Sequence, residues 1–253
     1  MRQDERIPFH EGTDDARRAA HPQGEYVGQE SFLTAGEIRR IGTRARIGPD
    51  VEVLDLCCGT AGPGRYLVAE TGCGYLGVDS SASALGIARQ LAGDLPCRFS
   101  EAQVPPLPPG RFDVVLLLET MLAFPDKRAL LAAVAGALAP GGRFALTLEE
   151  GPPLTAAERV AMPDADTVWL VELAEFTGLL AEAGFSVTWR EEWSAAHRRT
   201  AAALLAAYRA HADDIAAQVG ARALGELVTA HELWCAWLGS GRVRKFALVA
   251  EKR

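Results

Sequence analysis

The chain has 253 residues, enough for one sizeable core with embellishments, and its 49% hydrophobic content argues against disorder. A formal net charge of -7 argues against a phosphate backbone as the main partner, because such surfaces need clustered Lys and Arg. No stretch reaches the roughly 18 apolar residues of a membrane span, and the five cysteines have no C-x-x-C spacing, so no membrane anchor, bound metal or disulfide framework is expected.

Residues 1–15 are charged and lack the apolar segment of a signal peptide, so a cytoplasmic location is expected, with Cys57 and Cys58 as small packed residues. The first 25 residues are polar and proline-interrupted, which predicts a mobile N-terminal segment. Thr34-Ala35-Gly36-Glu37 is a capping-box pattern, and Ile38, Ile41 and Ala45 fit one face of the helix it opens. Residues 51–56 are an apolar run of the kind that makes a buried parallel strand, with Asp55 inside its end. Small residues and glycine follow, then a helix over 63–71. Strand, small-residue loop and helix let a ligand approach the backbone.

A second strand over 74–78 ends in Asp79, whose carboxylate can accept both hydroxyls of a ribose. Ser80 is the predicted N-cap of a helix over 81–91. Residues 97–99 form a short third strand, and the proline-rich 104–110 must be loop. Residues 112–118 are the fourth strand, with Glu119 just past its end, where open α/β sheets bind ligands. A helix opens near Asp126 and ends at Pro140-Gly141-Gly142. The fifth strand covers 143–148, and Glu149 and Glu150 leave its carboxyl end, where they could face a substrate.

A helix over 170–183, a strand over 185–189 and a last strand over 245–250 complete the pattern. Between the last two strands, residues 194–238 are alanine-rich with apolar residues at three- and four-residue spacing, which predicts two or three amphipathic helices. This stretch offers His197, Tyr208, His231, Trp234 and Trp237 as side chains for a small-ligand pocket, with His197, Tyr208 and Trp234 as the candidate substrate contacts. His197 also suits proton removal near neutral pH. The basic clusters His197-Arg198-Arg199 and Arg242-Val243-Arg244-Lys245 read as solvated element ends. The predicted fold is α/β: a Rossmann-like doubly wound seven-stranded sheet with helices on both faces and an α-helical insertion before the last strand. The predicted division is an N-terminal helical cap or lid over 1–50 and a main domain over 51–253 carrying the insertion over 194–241.

A nicotinamide-binding loop would read G-x-G-x-x-G, and Cys57 and Ala61 interrupt that pattern. The segment Val53-Leu54-Asp55-Leu56-Cys57-Cys58-Gly59-Thr60-Ala61-Gly62-Pro63 instead resembles motif I of the class I S-adenosylmethionine-dependent methyltransferases, often D-x-G-x-G-x-G. Phe112-Asp113-Val114-Val115 and residues 138–144 resemble two later motifs of that family, in the right order. The resemblance covers 51–148 and implies S-adenosylmethionine as cofactor, S-adenosylhomocysteine as product, and methyl transfer to nitrogen, oxygen or carbon of a small molecule.

The resemblance places Asp55, Cys57 and Gly59 around the methionine portion, with Asp79 and Ser80 at the ribose. Glu101 and Ala102 would meet the adenine, and Tyr26, in a covering leader segment, and Glu119, at the sheet edge, would also contact the cofactor. Many relatives have His where Ala123 stands, which removes one possible base. A cyclase that keeps the same cofactor and a non-catalytic binding partner are the alternative readings, and these motifs do not separate them from a methyltransferase.

Overall fold

The structure, a computed structural model, describes residues 6–253. The first five residues of the expected 1–50 cap lie outside that range. Two helices open the chain, α1 (Arg6–Ala20) and α2 (Ala35–Arg44). Strands and helices then alternate as β1 (Glu52–Leu56), α3 (Gly62–Thr71), β2 (Gly74–Asp79), α4 (Ala82–Ala92), β3 (Cys97–Glu101), β4 (Phe112–Leu117), α5 (Lys127–Ala137) and β5 (Leu138–Glu150). Next come α6 (Ala156–Ala161), α7 (Leu173–Glu182) and β6 (Phe185–Glu192). The chain closes with α8 (Ser194–Ala210), α9 (Ala212–Val219), α10 (Ala221–Ser240) and β7 (Arg244–Lys252).

The seven strands form one sheet in the order β3-β2-β1-β4-β5-β7-β6. The first five run parallel, and β7 runs antiparallel between β5 and β6. The order reverses beside β1, so the carboxyl ends of β1 and β4 flank a topological switch point, the place where open α/β sheets take ligands. Alternation along β1 serves both faces. Leu54 and Leu56 join the core under α5 and α7, while Val53 joins Ile38, Ile41 and Leu67 on the other side. No described helix is long and apolar enough to cross a membrane.

The polar leader corrects one expectation, because most of it is the ordered helix α1. The buried face of α1 is His10, Thr13, Ala16 and Arg17, three of them polar, so apolar periodicity could not reveal it. Glu30 satisfies that face, with Oε1 2.6 Å from His10 Nδ1 and 3.2 Å from an Arg17 guanidinium nitrogen. The α1 helix packs on α8 and α9 of the insertion. Two smaller corrections concern helix ends. Ser81, not Ser80, caps α4 by accepting from Ala84 N, and α5 ends at Ala137, ahead of Pro140. The Thr34–Glu37 capping box is present as predicted.

Candidate active site

The loop after β1 keeps a glycine-type backbone with fewer glycines. Cys57, Gly59 and Ala61 all have φ of 56°, in the left-handed region. At Cys57 and Ala61 a side chain carries that conformation at a cost of about 1–3 kcal/mol each, strain of the kind found at ligand-binding turns. Two true glycines nearby are required by space. A Cβ on Gly62 would sit 2.4 Å from the backbone of Gly28, so this glycine lets the leader loop close onto motif I. A Cβ on Gly64 would meet the Tyr75 hydroxyl at 2.1 Å. That space lets Tyr75 donate to Asp55 Oδ2 at 2.7 Å.

Asp55 is buried, and burial pushes its carboxyl up to about 7 against the Tyr75 hydrogen bond, with Asp79 adding to the rise. The folded pKa therefore exceeds the unfolded one of 3.8. Stability from this site is fully present below that unfolded value and is lost as pH rises towards 7. The loss amounts to up to about 4 kcal/mol at 1.36 kcal/mol per unit. Urea titrations of wild type and Asp55→Asn at pH 4, 6 and 8 are expected to show wild type losing ground to the variant across that window. Parallel profiles would refute the assignment.

Asp79 ends β2 with each carboxylate oxygen accepting one backbone N–H, from Gly59 at 2.9 Å and from Ser81 at 2.8 Å. It therefore ties the motif I loop to the start of α4 and keeps lone pairs for a further donor. Ala102 N donates to the Asp79 carbonyl, which sets the β3 end beside it. Glu101 lies opposite Asp79 in the parallel register, with its side chain exposed like that of Ser80. Tyr26 is turned to α1, donating its hydroxyl to Asp14 and standing over His21.

A cavity of about 330 Å³ lies at the carboxyl ends of β4 and β5, and β4 is the strand next to β1 in the sheet. Its floor is charged. Lys245, only 2% exposed, reaches Glu119 Oε1 at 2.5 Å and also donates to Glu149 Oε1. Burial works to lower the Lys245 pKa, but the two carboxylates outweigh it and hold the ammonium above its ordinary value. Burial likewise works to raise Glu119, and Lys245 outweighs it, so the Glu119 carboxyl stays below the usual range. Glu149 Oε2 has no hydrogen-bond partner in the protein. Glu119 carries this carboxylate on a backbone with φ of 62°, a second strained position at a strand end.

The walls are mostly apolar: Phe32, Leu122, Val168, Trp234 and Leu238. Two histidines complete them. His197 is fully buried, stacked near Trp193, and both ring nitrogens lack a hydrogen-bond partner. Its Nε2 lies 3.6 Å from Glu37 Oε2, the same carboxylate that closes the capping box of α2. His231 bonds through Nδ1 to the Leu227 carbonyl at 2.8 Å. A carbonyl only accepts, so Nδ1 carries the proton and Nε2 is the accepting nitrogen. Burial lowers the His231 pKa, which keeps the ring neutral at pH 7.

The structure thus brings together Glu119, Glu149, His197, His231 and Trp234 from four separate segments. It does not bring Tyr208, which is buried behind His231 at a ring distance of 4.9 Å and is not among the cavity's lining residues. Glu150 is held by Arg244 at 2.8 Å instead of facing the cavity. Lys245 is the cavity residue that sequence reading missed: the cluster read as a solvated strand end contains a charge only 2% exposed that pairs with Glu119 and Glu149. A lysine opening an otherwise apolar strand was the only available signal.

The residues fit S-adenosylmethionine: a left-handed loop that lets a ligand reach backbone, two carboxylates at the ends of β1 and β2, and a crevice at the switch point. A family model described as a methyltransferase domain matches residues 54–144. A protein of Synechocystis described as an uncharacterized methyltransferase is 32% identical over 163 residues, covering 56% of this chain and 69% of its own. The chloroplastic tocopherol O-methyltransferase of Arabidopsis thaliana is 30% identical over 118 residues, 44% of this chain, and the match spans only 34% of that enzyme.

Among solved structures, a cyclopropane synthase of Mycobacterium tuberculosis superposes with a TM-score of 0.82 at 15% identity, covering 100% of this chain and 99% of that one. A phosphoethanolamine N-methyltransferase of Haemonchus contortus, in complex with phosphomonomethylethanolamine and S-adenosylhomocysteine, gives 0.76 at 17%, covering 96% and 60%. At these identities the structural likeness speaks for the fold alone. Motif I, the strand order and the identity to the Synechocystis protein agree, and the chain belongs to the class I S-adenosylmethionine-dependent methyltransferase family.

Proposed function

We propose that this chain transfers a methyl group from S-adenosylmethionine to a small acceptor seated in the 330 Å³ cavity. The observation that carries the reading is the juxtaposition of that cavity with the motif I crevice across Glu119. When bound, the cofactor supplies an already electrophilic methyl group, so the protein needs mainly to align a nucleophile and exclude water. In this reading Asp55, Cys57 and Gly59 surround the methionine portion, Asp79 and Ser80 meet the ribose, and Glu101 and Ala102 the adenine. Residues 26–34 act as a lid, supported by the contact of Gly28 with Gly62. His197 receives the acceptor's proton, with Glu37 stabilising the imidazolium that forms. The Arabidopsis relative is named for methylating oxygen, which supports oxygen as the accepting atom. A cytoplasmic location belongs to the same reading, as does the absence of a nucleic-acid partner, supported by the net charge of -7.

Two measurements test this. Calorimetry is expected to detect binding of S-adenosylhomocysteine and not of NAD, and Asp79→Ala is expected to weaken that binding by about 1.5–3 kcal/mol, the scale of hydrogen bonds to a charged group. Unchanged affinity in the variant would remove Asp79 from the site. Methyl transfer from labelled S-adenosylmethionine to a panel of phenols, alcohols and amines then separates an enzyme from a binding protein.

A further inference from the structure

The described cavity does not end at its apolar walls. A second cavity of about 980 Å³ lies against α6, α9 and α10, and the two share Met162, Pro163, Asp164 and Ala230. The shared residues form a neck. Beyond it the lining mixes apolar side chains, Val160, Val219, Ala223 and Leu227, with charged ones, and Asp164 stands in the neck itself. The charges among its lining residues include Arg222 and Glu226, which pair with one another at 2.8 Å. Val160 is 90% exposed there, on a six-residue helix with no buried residue of its own. That helix is nevertheless fixed in place. Its Thr155–Glu158 capping box is closed, and Arg242 holds Glu158 at 2.8 Å, chiefly through hydrogen bonds that keep the Glu158 carboxyl down at about 2. A short helix pinned by its polar side and turned outward on its apolar side presents Val160 to something other than this chain's core.

We infer that the acceptor is an amphipathic molecule whose hydrogen-bond-donating head lies on the Glu119–Lys245–Glu149 floor and whose apolar tail passes the Met162–Ala230 neck into the outer cavity. The inference rests on the methyl-transfer reading for its orientation, and it names the class of acceptor that reading leaves open. The floor suits a donor, because two carboxylates face one ammonium and Glu149 Oε2 still lacks a partner. A head without a donor would bury that oxygen unpaired, which such sites reject strongly. The walls of the inner cavity and the apolar side chains of the outer one suit hydrocarbon, and each methylene moved from water into them is worth about fourfold in affinity.

The test uses 4-butyl-, 4-hexyl- and 4-octylphenol, titrated by calorimetry into the full chain with and without saturating S-adenosylhomocysteine. Affinity is expected to rise about fourfold per methylene across the series, and 4-octylanisole, which lacks the donor, to bind at least tenfold more weakly than 4-octylphenol. Ala223→Asp puts a charge in the outer cavity alone, on the solvent side of α10, and Met162→Trp narrows the neck. Both are expected to weaken 4-octylphenol at least tenfold, and Ala223→Asp, which lies outside the inner cavity, to leave 4-butylphenol unchanged. A flat series in wild type, equal binding of the anisole, or unchanged 4-octylphenol binding in a folded Ala223→Asp protein would each overturn the inference. Failure of S-adenosylhomocysteine to bind would instead sink the methyl-transfer reading, and the titrations without it would still decide the cavity.

Discussion

Replacing Lys245 with methionine is expected to destabilise the protein by about 3–5 kcal/mol at pH 8, the cost of leaving buried charge unpaired. Methionine fills most of the space, so packing loss is a minor part. What changes is electrostatic: Glu119 and Glu149 lose their common ammonium while remaining buried. The pH dependence gives this origin away, because its sign inverts at Glu119. In wild type Lys245 holds Glu119 below its ordinary range, so that site's contribution is present above the unfolded value of 4.5 and is lost as pH falls. Without Lys245 burial is the largest influence left on Glu119 and raises its carboxyl, so the variant loses stability as pH rises through the raised value. Urea denaturation at pH 5 and pH 8 is therefore expected to show a much smaller deficit at pH 5. An equal deficit at both values would mean that the ammonium contributes by packing alone.

The second large effect concerns turnover. His197→Ala is expected to lower the rate of methyl transfer by roughly 10²-fold or more while leaving S-adenosylhomocysteine affinity unchanged. A fully buried imidazole with two unpartnered nitrogens carries a desolvation cost that a purely structural residue would have been relieved of. The Glu37 carboxylate 3.6 Å away offers the counter-charge that an imidazolium would need. The split between turnover and cofactor affinity distinguishes chemistry from loss of fold. Partial rescue at high pH, where a hydroxyl acceptor ionises unaided, would support proton removal specifically. Full activity in the variant would transfer the role to His231, whose accepting nitrogen is fixed by the Leu227 carbonyl.

Much of the fold was legible because local and global signals agree in it. Residues 53–56 are buried throughout because β1 is covered on both faces, and Asp55 is the one polar side chain among them. Asp55, Gly59 and Asp79 could be proposed for a related reason: each sits at a strand end or in the loop that follows it, a position that local sequence marks. The Thr34–Glu37 box was readable because capping is a three-residue affair.

What the sequence by itself determined is therefore the sheet, the cofactor-type loop and the existence of a helical insertion, each set by neighbours within a few residues. Only the tertiary structure decided what the insertion and the leader do. Helix α1 looked like a polar tail because much of its buried face is polar, with His10 and Arg17 set against Glu30 and Tyr208, and Ala16 alone of its described buried residues joins a hydrophobic cluster. Lys245 looked like a solvated strand end because its partners lie 126 and 96 positions earlier in the chain, on strand ends that meet it only when β7 inserts beside β5. Tyr208 and Trp234 share the same aromatic chemistry and the same helical spacing, yet one packs behind the cavity and the other lines it. Periodicity tells which residues face inward. Whether the inward space is filled or left open depends on how α8 and α10 cross the sheet edge, and that is settled by packing between elements distant in sequence.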